Sequence, residues 1–295
     1  MLYITCKYEL GGIVMDNFTI SGFSDEIDSD IDVQFDVITK LGINYFEVRG
    51  VNGKNVSELT DEEAVKLSEK MKEYGVFVSS IGSPIGKISI TDDFDSHFET
   101  FKRVVKIAKI LGTKNIRIFS FYIPYETGYD AYRNEVILRL NKLKKYAHEN
   151  DMMLLHENEK GIYGDVPERC LDLAKELCDE NFSLVFDPAN FVQCGVETIE
   201  AFNMLKPYIT YVHIKDADDK GINVPAGYGK GNIEYILSEL KKDGYEGFLS
   251  LEPHLAGFSG FANLEKDSGI TLAKGNNKDK YKEAYKSLKA ILERI

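Results

Sequence analysis

Four apolar runs in the sequence end in side chains that can bind a cation or transfer a proton. Read as strands, the runs place alternate side chains on opposite faces. In VHIKD, the His213 side chain is then on the opposite face of the strand from Val212 and Ile214. In SLE, the final glutamate is on the opposite face from the leucine before it. The four tip residues are Glu157 in LLHEN, Asp187 in FDPAN, His213 in VHIKD and Glu252 in FLSLE.

Three carboxylates and one imidazole that converge on a pocket would repel one another unless a positive charge lay between them. We therefore predict that these four side chains hold one divalent metal ion, for which Mn²⁺, Mg²⁺, Zn²⁺ and Co²⁺ are the candidates. The alternative is a buried ion-pair network in which Arg49, Arg117 or Lys215 supplies the counter-charge.

The elements that would position these residues alternate regularly from residue 18 onward. Eight short apolar segments each precede an amphipathic stretch, and glycines follow several of these stretches as helix-ending residues do. The pattern predicts an α/β fold, a single (β/α)8 TIM barrel, in which inward charge at the strand ends builds the active site. An open doubly wound sheet is the alternative, but the sequence has neither GxGxxG after the first strand nor GxxxxGK[ST]. Helices are predicted near residues 30–41, 61–74, 96–111, 130–149, 167–179, 197–205, 232–242 and 278–294.

Composition narrows the class of partner. The 295 residues are 43% hydrophobic and carry a net charge of −12, with no block of five or more basic residues, which argues against nucleic acid and anionic membranes. Four cysteines without metal-binding spacing are typical of reduced thiols, and no apolar run is long enough to span a membrane. These features predict a cytoplasmic protein with a small-molecule substrate.

Two segments are predicted to lie outside the repeating pattern. Residues 1–14 are interpreted as a non-native leader or disordered extension, with Met15 as the natural start and residues 15–295 as one barrel domain. The long loop after the eighth strand, HLAGFSGFANLEKDSGITLAKGNN, would form either a hydrophobic lid or a contact within a homo-oligomer through Phe258 and Phe261.

At LLHEN, FDPAN, VHIKD and GYEGFLSLE the sequence resembles the xylose isomerase-like β/α-barrel superfamily of sugar phosphate isomerases and epimerases. The resemblance covers nearly the whole chain from residue 18. It implies one divalent metal held by Glu157, Asp187, His213 and Glu252. In the sugar epimerases of the group, the two glutamates also perform the proton transfers.

The chain departs from this family at one position. Histidine often stands three residues after the strand-six aspartate, where this sequence has Asn190, which can hydrogen-bond a hydroxyl but is a poor metal ligand. The three-zinc relative endonuclease IV also uses histidines on strands two and three, and the corresponding stretches EVRGVNG and SSIGSPIG contain none. A nuclease of that type is therefore disfavoured.

The residue types define the expected chemistry. A proton beside a carbonyl is removed more easily when a cation binds the oxygens of the developing enediolate, and two glutamates can act in turn as base and acid. We predict a sugar or sugar phosphate isomerase or epimerase, with Glu157 and Glu252 as catalytic residues. The alternatives are an inosose dehydratase-like lyase on the same barrel and a non-catalytic sugar-binding barrel.

Other polar residues are candidates for substrate binding. The loop GYGKGN could hold an anion through its glycines and Lys230, or it could be an ordinary crossing loop. Some of the remaining candidates could equally serve as salt-bridge scaffolding. They are Lys215, Asn190, Glu47, Arg49 and His254.

Overall fold

A computed structural model describes residues 18–255 and 276–295 and confirms the predicted (β/α)8 barrel. Eight parallel strands pair in the order β1-β8-β7-β6-β5-β4-β3-β2 and form a nearly closed barrel with the helices outside. The strands are β1 (Thr19–Gly22), β2 (Tyr45–Val48), β3 (Phe77–Gly82), β4 (Asn115–Ile118), β5 (Met153–Glu157), β6 (Phe182–Phe186), β7 (Ile209–Ile214) and β8 (Phe248–Leu251).

The helices lie close to their predicted positions, because the sequence marks their ends. Gly75 and Gly112 end the helices Asp61–Tyr74 and Phe94–Leu111 in left-handed conformations, with φ of 66° and 78°, which glycine adopts without steric cost. One helix, α6, was not expected; it begins at Pro188 directly after β6. The helices are α1 (Ile31–Lys40), α2 (Asp61–Tyr74), α3 (Phe94–Leu111), α4 (Arg133–His148), α5 (Pro167–Leu177), α6 (Pro188–Gln193), α7 (Thr198–Leu205), α8 (Ile233–Lys242) and α9 (Asn277–Leu292).

Strand parity divides the apolar side chains between two cores. Leu155, Val185 and Tyr211 pack together inside the barrel, with Met153 and Phe248 against them. The alternate residues of the same strands belong to the larger core beneath the helices, which includes Leu154, Leu184, Val212 and Leu249. The inward face is therefore apolar near the beginning of these strands, and the ionisable residues lie above that layer.

Short additions follow two of the barrel strands. Gly50–Val51 pairs with Lys54–Asn55 after β2, and Asp216–Ala217 pairs with Asn223–Val224 after β7, both as antiparallel ladders. In the described part of the chain, no helix combines the length and apolar character that crossing a bilayer requires. The predicted leader at 1–14 and residues 256–275 of the long loop after β8, which include Phe258 and Phe261, lie outside the described residues.

Candidate metal and active site

The four predicted metal ligands meet at the carboxyl end of the barrel. His213 Nδ1 lies 3.0 Å from Glu157 Oε1, 3.2 Å from Glu252 Oε2 and 3.8 Å from Asp187 Oδ2. All four side chains are buried, and one ligand atom from each falls within 4.8 Å of the others. Because they come from β5, the end of β6, β7 and the end of β8, strand register alone brings them together.

This donor set fits a divalent cation better than a closed hydrogen-bond network. A single Nδ1 atom can donate at most one hydrogen bond, yet it faces three carboxylates. Asp187 Oδ2 is buried and accepts no well-directed hydrogen bond, although Lys215 Nζ lies 3.0 Å away. Burial, only partly offset by Lys215, raises the pKa of Asp187 to about 7. Three carboxylates with one imidazole are ligands suited to Mg²⁺, Mn²⁺ or Zn²⁺.

Asp187 is positioned by the helix that follows it. As the N-cap of α6, it accepts a hydrogen bond at Oδ1 from the backbone N–H of Asn190, at 2.9 Å. The Asn158 side chain accepts from the Asp187 N–H and donates to the Asp187 carbonyl, both at 2.9 Å. Oδ1 is thus held by the first turn of α6, and Oδ2 points towards His213 and Lys215.

Each glutamate pairs with an arginine through one carboxylate oxygen, although Arg49 also binds Asp25 through Nε and Nη2. Arg117 Nη1 lies 2.8 Å from Glu157 Oε2, and Arg49 Nη1 lies 3.1 Å from Glu252 Oε1. Both guanidinium groups lie over the ring of Phe23, at 4.4 Å for Arg49 and 5.5 Å for Arg117. In each glutamate an arginine holds the outer oxygen, while the inner oxygen faces His213.

These contacts keep both glutamates ionised. Burial raises the pKa of Glu157, but attraction to His213 and Arg117 outweighs it and lowers the pKa to about 2. Burial opposes ionisation of Glu252 as well, and attraction chiefly to Lys215 lowers its pKa well below the usual range. Two ionised carboxylates therefore stand on either side of the same imidazole.

Glu47 lies beneath this centre. Its Oε2 is 3.1 Å from His213 Nε2 and accepts hydrogen bonds from Tyr211 at 3.0 Å and Ser250 at 2.8 Å. Burial opposes protonation of His213, but attraction to Glu157, Glu47 and Glu252 raises its pKa well above the usual range. A divalent cation would take the place of the Nδ1 proton, while Glu47 holds the other proton on Nε2, as a metal-binding histidine requires. The substrate-binding role predicted from sequence for Glu47 does not suit this buried place below the ring, whereas a positioning role does.

The other predicted substrate-binding residues each contact a ligand of the proposed metal. Lys215 Nζ lies 3.0 Å from Asp187 Oδ2, and Asn190 Nδ2 donates to Glu157 Oε1 at 3.2 Å. His254 Nε2 lies 3.2 Å from Glu252 Oε1, and Arg49 contacts the same oxygen. Asn190 also donates to the Asn158 carbonyl at 2.8 Å, so its amide is occupied in holding Glu157.

Sequence analysis missed the acidic residues after β1. Asp25 accepts hydrogen bonds from Nε and Nη2 of Arg49, both at 2.9 Å. Glu26 Oε2 accepts one from the His254 backbone N–H at 2.9 Å. Their signal was available, because FSDEID follows the first strand as the other ligands follow theirs. Glu26, Glu252 and His254 form a second compact group, but Arg49 lies 3.5 Å from Glu26 and supplies its positive charge.

A narrow cleft leads from solvent to Glu252. An ion pair lies on its wall, with Lys87 Nζ 2.9 Å from Glu159 Oε2. Neither strand parity nor a sequence motif predicted this pair. The side chains of this pair are 14% and 12% exposed, whereas those of the arginine pairs below are at most 6% exposed. Further lining residues are Asn55, Ser83, Phe119 and His254.

The glycine-rich loop after β7 is closed around an acid of the chain itself. Asp216 accepts hydrogen bonds from the backbone N–H groups of Gly227, Gly229 and Gly231 at 2.9, 3.0 and 2.8 Å. A Cβ atom on Gly229 would lie 2.3 Å from the Asp216 carboxylate, so glycine is required for this approach. These amide groups are occupied, and the loop is not open to a bound phosphate.

The sequence model of the xylose isomerase-like TIM barrel family matches residues 35–291. The chain belongs to this family. An uncharacterized protein of Methanocaldococcus jannaschii is 32% identical over 225 residues, which cover 72% of this chain and 71% of that protein.

Two further proteins, one with a named activity and one with a bound ion, are similar to this chain. The 3-dehydroshikimate dehydratase of Bacillus anthracis is 22% identical over 233 residues, covering 72% of this chain and 81% of the dehydratase. The crystal structure of the IOLI protein with a binding zinc atom superposes with a TM-score of 0.74 at 18% identity, covering 94% of this chain and 99% of that one. The structural similarity supports the fold, and the zinc is a property of that neighbour.

Proposed function

We propose that this protein is a divalent-metal-dependent isomerase or epimerase of small hydroxyketones such as sugars. The observation that carries the proposal is the pair of matched Glu–Arg units: Glu157 with Arg117 and Glu252 with Arg49, on two sides of His213. Moving a proton between two faces of one carbon, or between neighbouring carbons, needs two positioned bases. One base with a single counter-charge would not require this duplication.

The four ligands Glu157, Asp187, His213 and Glu252 would hold the cation. A bound divalent cation would withdraw electron density from the carbonyl oxygen and so acidify the neighbouring C–H bond. This contribution is necessary, because carboxylates with lowered pKa values are weak bases on their own.

The residues of the chain would then have separate roles in proton transfer, in positioning and in substrate binding. One glutamate would accept the proton from carbon, while the other, after taking a proton from solvent or from a substrate hydroxyl, would deliver it to the opposite face or the adjacent carbon. The first glutamate would then return its proton to solvent. The arginines fix the outer carboxylate oxygens, so that each glutamate keeps its direction during the transfer. Lys215, 3.0 Å from Asp187 and 3.4 Å from Glu252, is placed to orient a substrate oxygen.

A dehydratase is the second candidate, and the similarity to the 3-dehydroshikimate dehydratase favours it. Its first step would use the same site, since removal of the proton beside a carbonyl also precedes loss of a β-hydroxyl. The two reactions differ in their second step, which is either return of a proton to carbon or departure of water.

A panel of ketoses and inososes, incubated with Mn²⁺-loaded protein in D₂O, tests both candidates. For an isomerase or epimerase we expect deuterium in recovered substrate and an isomeric product of the same composition. Loss of one water from the product mass would identify the dehydratase instead. No exchange with any member, although the protein binds Mn²⁺, would contradict the proposed function.

A further inference from the structure

The cleft that leads to Glu252 is too narrow for the molecules that the proposed reaction needs. Among the described residues it encloses a volume of about 20 Å³, which is room for roughly one water molecule. A hydrated divalent ion and a hydroxyketone are both larger than that. Part of the cleft wall must therefore move before either of them can reach Glu252.

The backbone on one side of the cleft is firmly anchored. The loops that follow β3, β4 and β5 lie side by side and are joined by backbone hydrogen bonds. Phe119 donates to the Ile85 carbonyl at 2.8 Å, Phe121 to the Gly86 carbonyl at 3.0 Å, and Tyr163 to the Phe121 carbonyl at 3.0 Å. The first two loops approach closely, because a Cβ atom on Gly86 would lie 2.1 Å from the Phe119 carbonyl oxygen. Moving one loop would break several of these buried hydrogen bonds, so the opening is expected from side chains.

The Lys87–Glu159 ion pair joins the two outer loops of this layer. Lys87 stands on the loop after β3 and Glu159 on the loop after β5, with Lys87 Nζ 2.9 Å from Glu159 Oε2. The loop after β4 lies between them, and Lys87 Nζ lies over the ring of its Phe119 at 4.4 Å. All three side chains line the cleft. The ion pair therefore crosses the middle loop and narrows the cleft.

This pair can open more easily than the pairs deeper in the cleft. Its side chains are partly exposed, so water can solvate both charges once they separate. Ion pairs with access to solvent contribute little net free energy, whereas opening a fully buried pair leaves an uncompensated charge. Neither Lys87 nor Glu159 is a proposed metal ligand, so a bound ion would not replace their contact.

We propose that the Lys87–Glu159 pair is a side-chain gate. With the pair closed, the cleft admits water; with the two side chains apart, the divalent ion and the substrate pass between them to reach Glu252. The gate rests on the proposed function for what must pass. It goes beyond that function by assigning control of access to two residues that bind neither the metal nor the reacting carbon.

Exchange kinetics of Mn²⁺ test the gate without a substrate. Release from loaded protein into an excess of a chromogenic chelator is measured by stopped flow, and the dissociation constant is measured by competition with the same chelator. The variants are Lys87→Met, Glu159→Gln and the double variant, which keeps the net charge of the wild type.

All three variants should release Mn²⁺ faster than the wild type, because either substitution breaks the same contact. In the double variant we expect release to be about fivefold faster, the factor that corresponds to one solvent-accessible ion pair. Its dissociation constant should equal that of the wild type, because a gate accelerates loading and release equally.

A purely electrostatic role of the two residues gives a different pattern. Loss of Lys87 would then slow the release of the cation, loss of Glu159 would speed it, and the double variant would resemble the wild type. That pattern, or an unchanged release rate in the double variant, overturns the gate.

Glu239→Gln is the control, because it alters a contact with Lys206 at 3.6 Å that lies outside the cleft. It should leave the release rate unchanged. Faster release in the double variant, together with no deuterium exchange of any hydroxyketone, would count against the proposed function and leave the gate standing.

Discussion

Glu47 Oε2 lies 3.1 Å from Nε2 of His213, on the side of the ring opposite the three carboxylates. The contact directs a proton to Nε2 and leaves Nδ1 available as a ligand, so a residue from β2 determines how β7 presents its histidine. Tyr211 and Ser250 share the same glutamate oxygen, which fixes its direction.

We predict that Glu47→Gln lowers metal affinity by about 10- to 100-fold, the usual effect of removing such an outer partner. The neutral amide is a poorer acceptor for three converging donors. Isothermal titration with Mn²⁺ measures the change, and Glu176→Gln on the outer helix α5 serves as a control. Unchanged affinity in a folded Glu47→Gln variant would contradict the positioning role.

Metal content is the second prediction. The purified protein should hold about one divalent ion per chain, as expected for a single set of four ligands. Chelation should abolish activity while circular dichroism reports an intact barrel, and His213→Ala should bind the ion more weakly. Wild-type protein that stays metal-free by elemental analysis after Mn²⁺ loading would contradict the assignment.

The third prediction concerns Asp216. Asp216→Ala leaves three glycine N–H groups without their acceptor and should lower the free energy of unfolding by about 3 kcal/mol. Asp216→Asn keeps one acceptor oxygen and should lose less. Urea unfolding of the three proteins provides the comparison, and equal midpoints would show that the loop does not depend on this carboxylate.

His97 gives a prediction about pH. It is buried, and its Nε2 accepts from the Gly86 N–H at 2.8 Å, while burial lowers its pKa to about 4. A histidine whose pKa is lower in the folded state stabilises the protein above its unfolded pKa, about 6.5. That contribution, up to about 3 kcal/mol, disappears as pH falls towards 4. His97→Gln should flatten this part of the curve of unfolding free energy against pH, and identical curves would contradict the assignment.

Much of the fold could be predicted from the sequence because the spacing of apolar residues and the residues that end helices indicate the same element boundaries. Helix α2 has its predicted bounds, and its end is marked by Gly75, whose left-handed conformation glycine adopts most easily. Helix α6 was missed because its six residues are too few to show a helical period, although Asp187 followed by Pro188 is a helix-start signal.

The site was predictable wherever a ligand follows directly from strand parity. Glu157 and His213 are of this kind. The alternation along each strand determines that their side chains point into the barrel, and their position near the strand end places them at the carboxyl end of the barrel. Contacts between distant elements, such as Lys87 with Glu159, depend on how two loops pack. Nothing in the local sequence specifies that distance.

The two-glutamate assignment is the central claim, and deuterium exchange by the two glutamine variants tests it most directly. Glu157→Gln and Glu252→Gln each keep a carbonyl that can bind metal but lose a base, so turnover should fall by about a hundred- to ten-thousand-fold. With metal content verified for both variants, hydrogen exchange in D₂O is followed by NMR on each member of an epimeric substrate pair. Each variant should still exchange the carbon-bound hydrogen of one epimer and lose exchange with the other, in opposite senses. Unchanged turnover in both metal-loaded variants, or the same epimer preference in both, would contradict the account.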